Sequence, residues 1–503
     1  WSRIPLVSAT MIFAHLCVGF YTSGAAISCE MAALPLVLWS DIMRKIELIK
    51  DRHFYERVLA IMLPVAMQQA INMGVNMMDT IMLGSFGEIQ LSASSLANSF
   101  YSIFQIFCMG IIAGCSILVS QHYGAGQMKQ VKQTFALALR LTVFFGAVFA
   151  VITLLFPDTI MKLFSSDPEV IAAGVRYLRV TVYVYLIHGI GLVIAQLMRS
   201  VGQAALGLYV SLISFVVNVA ANWIFIFGKF GAPRMEIQGA AVGTLIARSV
   251  ELVATGFFVL KMDKKIRLKL SDFFQRVPKE LLRRYLKIGL PALCSDAMLS
   301  FGRTATSMII GQMGTVAVAA NSMVQVVDRL FTVVTGGISN AAGIVIGHTI
   351  GSGDKHKARQ QGESLFLIAF GISILSALLF LIVGPATLSL YNVAEATLVV
   401  TKKLMITYSV LIVFQCVGTV MTKGVLRGGG DTRFLLVADV AFLWLASIPL
   451  GYISGIVMGW PIFITSVFLR IDDIIKSVWC IGRLNSGKWI HDVVTVKNGN
   501  RTE

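Results

Sequence analysis

Apolar stretches long enough for a helix to cross a bilayer core, about twenty residues at 1.5 Å rise per residue, recur along almost the whole of this 503-residue chain. By apolar run length they fall at about 58–83, 91–119, 132–156, 170–197, 205–227 and 238–260. A second set follows at about 286–311, 316–347, 363–384, 398–423, 434–455 and 460–482. Inside lipid every backbone N–H and C=O needs an internal partner, so runs of this length dictate helices. With 56% hydrophobic and only 14% charged residues, the composition excludes an ordinary soluble domain. The chain reads as an all-α integral membrane protein of twelve transmembrane helices.

A net charge of +16 would suggest nucleic acid in a soluble protein, but here the cations sit in alternate loops. One side carries Lys129 and Lys132, the basic stretch Lys261 to Lys287, then Lys355, Lys357 and Arg359, then Lys423, Arg427 and Arg433. The other side carries Lys162, Lys229, Arg234, Lys402 and Lys403. That asymmetry puts both ends of the twelve-helix core in the cytoplasm and excludes a nucleic-acid partner. Seven cysteines, several of them inside apolar helices, give no disulfide framework and no metal-type spacing. Residues 1–54 form an N-terminal extension in which Met43 reads as the native start, the alternatives being an extra helix or a signal-like segment. The rest divides into a first lobe (55–260), a basic cytoplasmic linker (261–285), a second lobe (286–482) and a cytoplasmic tail (483–503).

The chain also repeats itself. LPVAMQQAINMGVNMMDTIMLGSFG (63–87) lies over LPALCSDAMLSFGRTATSMIIGQMG (290–314) at an offset of 227, which puts Pro64 on Pro291, Gly84 on Gly311 and Gly87 on Gly314. The register holds to SQHYGAGQ (120–127) over GHTIGSGD (347–354), and one residue further on it puts RSVG (199–202) over RGGG (427–430). Six helices per copy give both copies the same orientation, a parallel internal repeat of two six-helix bundles.

These segments, with NVAANWIFIFG, IQGAAVGT, GISNAAGIVIGHTIGSGD and VLRGGGDTR, resemble the multidrug and toxic compound extrusion (MATE) transporters over residues 55–482. The resemblance implies two bundles around a V-shaped cavity in a bacterial inner membrane. It also implies export of cationic, often aromatic, compounds against entry of H+ or Na+, without a cofactor or a resident metal. We expect a monomer in the lipid bilayer with small organic cations as its substrate.

Four polar residues of the first helix, Gln69, Asn72, Asn76 and Asp79, lie within an arc of roughly 80° on an otherwise apolar surface. Ser211, Ser214, Asn218 and Asn222 make a similar stripe on the fifth helix. Asp79, Asn222 and Thr244 all fall roughly 8–9 Å inside the outer ends of their helices, where hard oxygens at one level suit a sodium ion or tune a carboxyl proton. By the resemblance Asp79, Asn218 and Asn222 match the family's first-lobe cation or proton site, with Asn76 and Thr244 beside it. The second copy has Thr306, Ala446 and Leu450 at the corresponding places, and Leu299 and Gly418 where sodium-coupled relatives carry acids.

Other intramembrane polar residues read less singly. Asp296 and Arg303, two turns apart on one face, are expected to pair, with a relocated ion or substrate acid as the alternative. Asp328 is a candidate cavity residue, and Arg248 should pair with Glu251 at i, i+3. Asp439 is expected to salt-bridge a helix end. Gln69, Asn72, Tyr101, Phe104 and Ser214 are candidates for lining the substrate cavity, although for the aromatics Phe100, Tyr101, Phe104 and Phe107 helix packing is the preferred reading over stacking on a cationic substrate. A lipid-linked oligosaccharide flippase of the same superfamily is the rival reading, and a non-transporting receptor a more distant one. No HExxH, catalytic carboxylate pair, Ser/His/Asp set or P-loop suggests an enzyme.

Overall fold

The computed structural model describes residues 48–84, 87–388 and 394–494, and all regular elements among them are helical. The N-terminal stretch before residue 48, with Met43, lies outside the described residues. The helices are α1 (Arg52–Gly84), α2 (Glu88–Gly124), α3 (Met128–Leu155), the short α4 (Pro157–Lys162), α5 (Pro168–Thr181), α6 (Val184–Ser200), α7 (Ala204–Phe227) and α8 (Ile237–Phe257). After the linker come α9 (Lys279–Gln312), α10 (Thr315–Gly351), α11 (Lys355–Leu388), α12 (Glu395–Thr419), α13 (Thr432–Phe442), α14 (Ile448–Tyr452), α15 (Ile462–Leu469) and α16 (Ile471–Asn485).

Among the described residues, nine helical runs are long and apolar enough to cross a membrane, ten if α5 and α6, bent by 54°, form one broken span. The fourth predicted helix is therefore this bent pair, not one straight run. The seventh and twelfth predicted spans are helical, as α9 and α15–α16, but fall outside that count. Both carry charge inside their apolar stretch: Asp296 and Arg303 on α9, and Asp472, Asp473 and Lys476 on α16.

The starts of α1, α2 and α3, at residues 52, 88 and 128, recur at 279, 315 and 355, each time 227 residues on. The aligned glycines have a backbone reason. Gly87 (φ 124°) and Gly314 (φ 103°), Gly126 (φ 72°) and Gly353 (φ 89°), and Gly202 (φ 78°) and Gly430 (φ 83°) all sit where a Cβ would be strained. They end or start helices, so the turns between spans are fixed at matching places.

The chain divides into two compact units, each with its own core. The N-unit comprises Leu59–Leu293 with Gly351–Gly353 and the stretch from Asp492. Its buried apolar side chains form three clusters: one around Leu83, Ala97 and Met161, one of Phe104, Cys108, Phe149 and Tyr185, and one around Leu118, Phe135 and Leu197. Glycines let α8 come close to α7: a Cβ on Gly239 would lie 2.5 Å from the Phe225 carbonyl carbon. The C-unit comprises, among the described residues, those of Cys294–Ile350 and Asp354–His491 together with residues 48–58. Beyond α16 the tail folds back into it. Trp489 is fully buried, donates Nε1–H to the Leu484 carbonyl (3.1 Å), and fills a space that a Cβ on Gly429 would enter at 2.4 Å.

The basic linker is packed onto the N-unit. Ile266 and Leu268 enter its core, and Asp263 caps the turn by accepting the backbone N–H groups of Lys265, Ile266 and Arg267. Asp272 accepts from Lys132 Nζ (2.8 Å), the Lys269 N–H (2.9 Å) and Gln275 Nε2 (2.6 Å). Burial opposes the charge of Asp272, but these donors outweigh it and hold its carboxyl below the usual range. A carboxyl lowered on folding contributes stability that is complete above its unfolded pKa of about 4 and is lost as pH falls through the folded value. Amide protection factors over 261–278, corrected for the intrinsic pH dependence of exchange, should therefore be unchanged between about pH 5 and 8 and fall only in stronger acid. Asp272→Asn should loosen the segment at neutral pH, by about 1–3 kcal/mol, and make little difference in acid where the wild-type carboxyl is itself protonated.

Candidate functional site

Two helices of the N-unit, α1 and α7, are tied at two levels by side-chain hydrogen bonds. Toward their starts Gln68 Nε2 donates to Ser211 Oγ (3.0 Å), and Arg199 donates to Gln68 Oε1. Toward their ends Asn222 Nδ2 donates to Asp79 Oδ1 (2.5 Å) and to Asn218 Oδ1 (3.3 Å). The ties are eleven residues apart on both helices, three turns and about 16 Å, so the helices run parallel and in step. Small residues keep them close, since a Cβ on Gly207 would lie 2.7 Å from Gln68 Oε1.

Asn222 is fully buried, and with its amide N–H groups committed its own Oδ1 has no hydrogen-bond partner. That oxygen rests against α8, where a Cβ on Gly243 would lie 2.1 Å away. On the next turn of α8 Arg248 pairs with Glu251 at 2.6 Å, the pairing expected from their spacing. Asp79 has no cationic side chain within ion-pair distance among the described residues, although Arg248 lies within electrostatic reach. The site thus holds a partly buried carboxylate, two amide side chains and an oxygen that offers lone pairs to nothing, a donor set that accepts a proton or a small hard cation.

The other predicted positions are placed as follows. Asn72 and Asn76 are exposed on α1 and Gln69 is partly buried, and Asn76 offers its backbone carbonyl to Thr80 Oγ1 (2.8 Å). Thr244 makes no hydrogen bond to Asp79 among the described residues. Phe104 does not line an open surface: it is buried in an aromatic cluster, 5.2 Å from Tyr185 and 5.6 Å from Phe149 between ring centroids. Tyr101 bonds and stacks with the buried His188 of α6. Ser214 is also turned away, because its hydroxyl donates toward the Ala247 carbonyl and Glu251 Oε2, both at 3.4 Å. The last three are packing positions because α6 and α8 cover that face.

In the C-unit the expected pair of Asp296 with Arg303 is replaced. Arg427 donates to both Asp296 oxygens (3.0 and 3.2 Å) and Lys423 lies 3.8 Å away, while Arg303 is exposed. An arginine reached from a second helix makes a bidentate fork that one two turns along the same helix cannot match. Asp328 is buried, with Arg470 at 3.9 Å and one carboxylate oxygen unpartnered. Arg470 stacks on Tyr408 and donates to Gln415 Oε1 (2.7 Å). Asp439 does form a salt bridge, with Lys476 (3.3 Å) in the second turn of α16, and also meets Ser295 Oγ (2.5 Å).

Sequence reasoning missed Gln68, Arg199, Arg470 and Lys476. RIDDIIK (470–476) carried a signal, four charges inside an apolar run. Gln68 carried none that separates it from its neighbour Gln69.

The family model described as MatE matches residues 64–224 and again 291–453, two segments that begin 227 residues apart. The chain is 24% identical to an uncharacterized transporter, YisQ, of Bacillus subtilis over 85% of this chain and 93% of that protein. It is 25% identical to the probable multidrug resistance protein NorM of Agrobacterium fabrum, over 81% and 88% of the two chains. It is likewise 25% identical to the multidrug resistance protein MdtK of Yersinia enterocolitica, over 79% and 87%. A mutant of the Vibrio cholerae MATE transporter VcmN shares the fold with a TM-score of 0.78 at 17% identity, over 87% of this chain and 98% of that one. A MOP superfamily transporter from Pyrococcus furiosus has a TM-score of 0.77 at 18% identity, over 88% and 99%.

Gly243→Ala tests the packing behind Asn222. The added methyl should push the amide off Asp79 at a cost of about 1–3 kcal/mol, read as a lower melting temperature in detergent. Gly256→Ala on the same helical run, where a Cβ meets nothing, should leave it unchanged.

Proposed function

Since the chain belongs to the MatE family and is a membrane transporter, we propose that it is a secondary antiporter that exports amphipathic organic cations in exchange for protons or sodium, with Asp79 holding the coupling ion. The observation that carries this reading is the bond from Asn222 to Asp79 beside an amide oxygen with no partner. At this level Glu251 is matched by Arg248, which leaves Asp79 as the carboxylate without an ion pair. In an apolar bundle such a group takes a proton or a cation, and the choice can change with the side of the membrane to which it is open. The names of the NorM and MdtK relatives support multidrug compounds as cargo.

In this reading Asn222, oriented by Asn218, donates to the Asp79 carboxylate; a bound sodium ion leaves that carboxylate ionised, whereas a bound proton neutralises it and loosens the outer tie between α1 and α7. Gln68, Ser211 and Arg199 keep the other tie, so the change stays local to one end. Alternating access then couples the ion to the substrate, with the protein acting as a monomer in the bacterial inner membrane and both ends of the helical core in the cytoplasm.

Efflux of a fluorescent organic cation from membrane vesicles tests the proposal, with the pH gradient and the sodium gradient imposed one at a time. Wild type should respond to one gradient by at least about tenfold over passive leak, and Asp79→Asn should fall to the leak rate while still folding. Full ion-driven export by Asp79→Asn would sink the assignment.

A further inference from the structure

The linker that follows α8 sorts its residues in a way transport does not require. From Lys261 to Lys279 there are two acids, Asp263 and Asp272, and both are buried and fully engaged. The cations face the other way: Lys264, Arg267, Lys269, Arg276 and Lys279 are all exposed. Arg267 is held outward by a left-handed backbone (φ 54°) that few non-glycine residues adopt.

Apolar residues split in the same manner. Ile266, Leu268 and Phe273 pack against the N-unit core, whereas Leu270 and Phe274, at the two ends of the short 3₁₀ helix Leu270–Phe274, are 65% and 78% exposed. In a transmembrane span such exposure means lipid contact. These two residues lie beyond the span that ends at Met262 and before α9, so the span's own lipid does not account for them.

Depth supplies the remaining observation. The short helix is fixed beside α3 by Lys132, which reaches Asp272, and by Arg140, which donates to the Gln275 carbonyl at 2.5 Å. Lys132 and Arg140 lie two turns apart on an exposed-to-buried helix of 28 residues, about 42 Å long against a hydrocarbon core of about 30 Å. Arg140 is exposed on an apolar span and its guanidinium must extend toward the headgroups, so the Gln275 carbonyl it binds marks the interfacial level.

We propose that residues 261–279 form an interfacial anchor that inserts Leu270 and Phe274 into the cytoplasmic leaflet and binds anionic phospholipid headgroups through Lys264, Lys269 and Arg276. An exposed face of cations around two apolar side chains matches an anionic bilayer surface in both charge and polarity. A soluble partner would have to accept two large apolar groups at headgroup level and is disfavoured by that placement.

The test uses the full chain in proteoliposomes, with Phe274→Trp as a depth probe read against the wild-type emission. Lipids brominated on the acyl chain should quench the added tryptophan by at least half in vesicles rich in phosphatidylglycerol, and aqueous iodide should not. Quenching by iodide and not by the brominated lipid would overturn insertion and leave the face to a soluble partner. Lys264→Gln/Lys269→Gln/Arg276→Gln should raise several-fold the phosphatidylglycerol fraction needed for that quenching. An unchanged requirement would overturn the headgroup assignment. Neither readout involves transport, so failure here is distinct from failure of the Asp79 reading.

Discussion

A partly buried carboxylate in an apolar helix bundle has to find its partners at its own depth, and α1, α7 and α8 meet that requirement around Asp79. Asp79 is met by Asn222, Asn222 is seated by the bare backbone of Gly243, and the in-step pairing of α1 and α7 keeps all three level. Shifting either helix by one residue would turn the donor away from the acceptor at both ties. The parallel helices thus supply a scale of fixed length against which the site is positioned, and the apolar cluster that includes Leu83 of α1 and Ile226 of α7 packs the ends of both.

The C-unit solves the same problem with ion pairs. Asp296 has Arg427 and Lys423, Asp439 has Lys476, and Asp328 has Arg470, itself stacked over Tyr408. Each of these three acids is accompanied by a base distant in sequence, which is the arrangement a purely structural buried charge requires. Asp79 is set apart by having amide neighbours in place of a base. Asp79 thus differs from these three acids, and from Glu251 with its Arg248, in meeting an amide where they meet a base.

How much of this was legible in the sequence depended on whether the controlling physics was local. Run length and glycine placement are local, so the helices and the turns at Gly87, Gly126 and Gly202 could be read directly. The pairing of Arg248 with Glu251 follows from one helical turn and was equally visible. The partner of Asp296 was not, because Arg427 is 131 residues away and only the packed helices bring it there. Gln68 and Gln69 differ by one residue and about 100° of helix, and nothing short of the α7 surface says which of them meets Ser211. Phe104 misled for a related reason: an aromatic residue that stacks on a ligand and one that fills a core have the same sequence signature.

The matched left-handed glycines bear on how such a chain diverges. Once a segment has been duplicated, replacing a glycine at positive φ strains the backbone, whereas a polar side chain on a helix face can be exchanged without disturbing it. The corners of the two copies would then be inherited nearly unchanged while the chemistry between them drifts. Asp79 facing Asn222 in one copy, with Thr306 and Leu450 at the corresponding places in the other, is the outcome such unequal tolerance produces. Specialisation of one half needed no new fold, only freedom to lose a site that its twin retained.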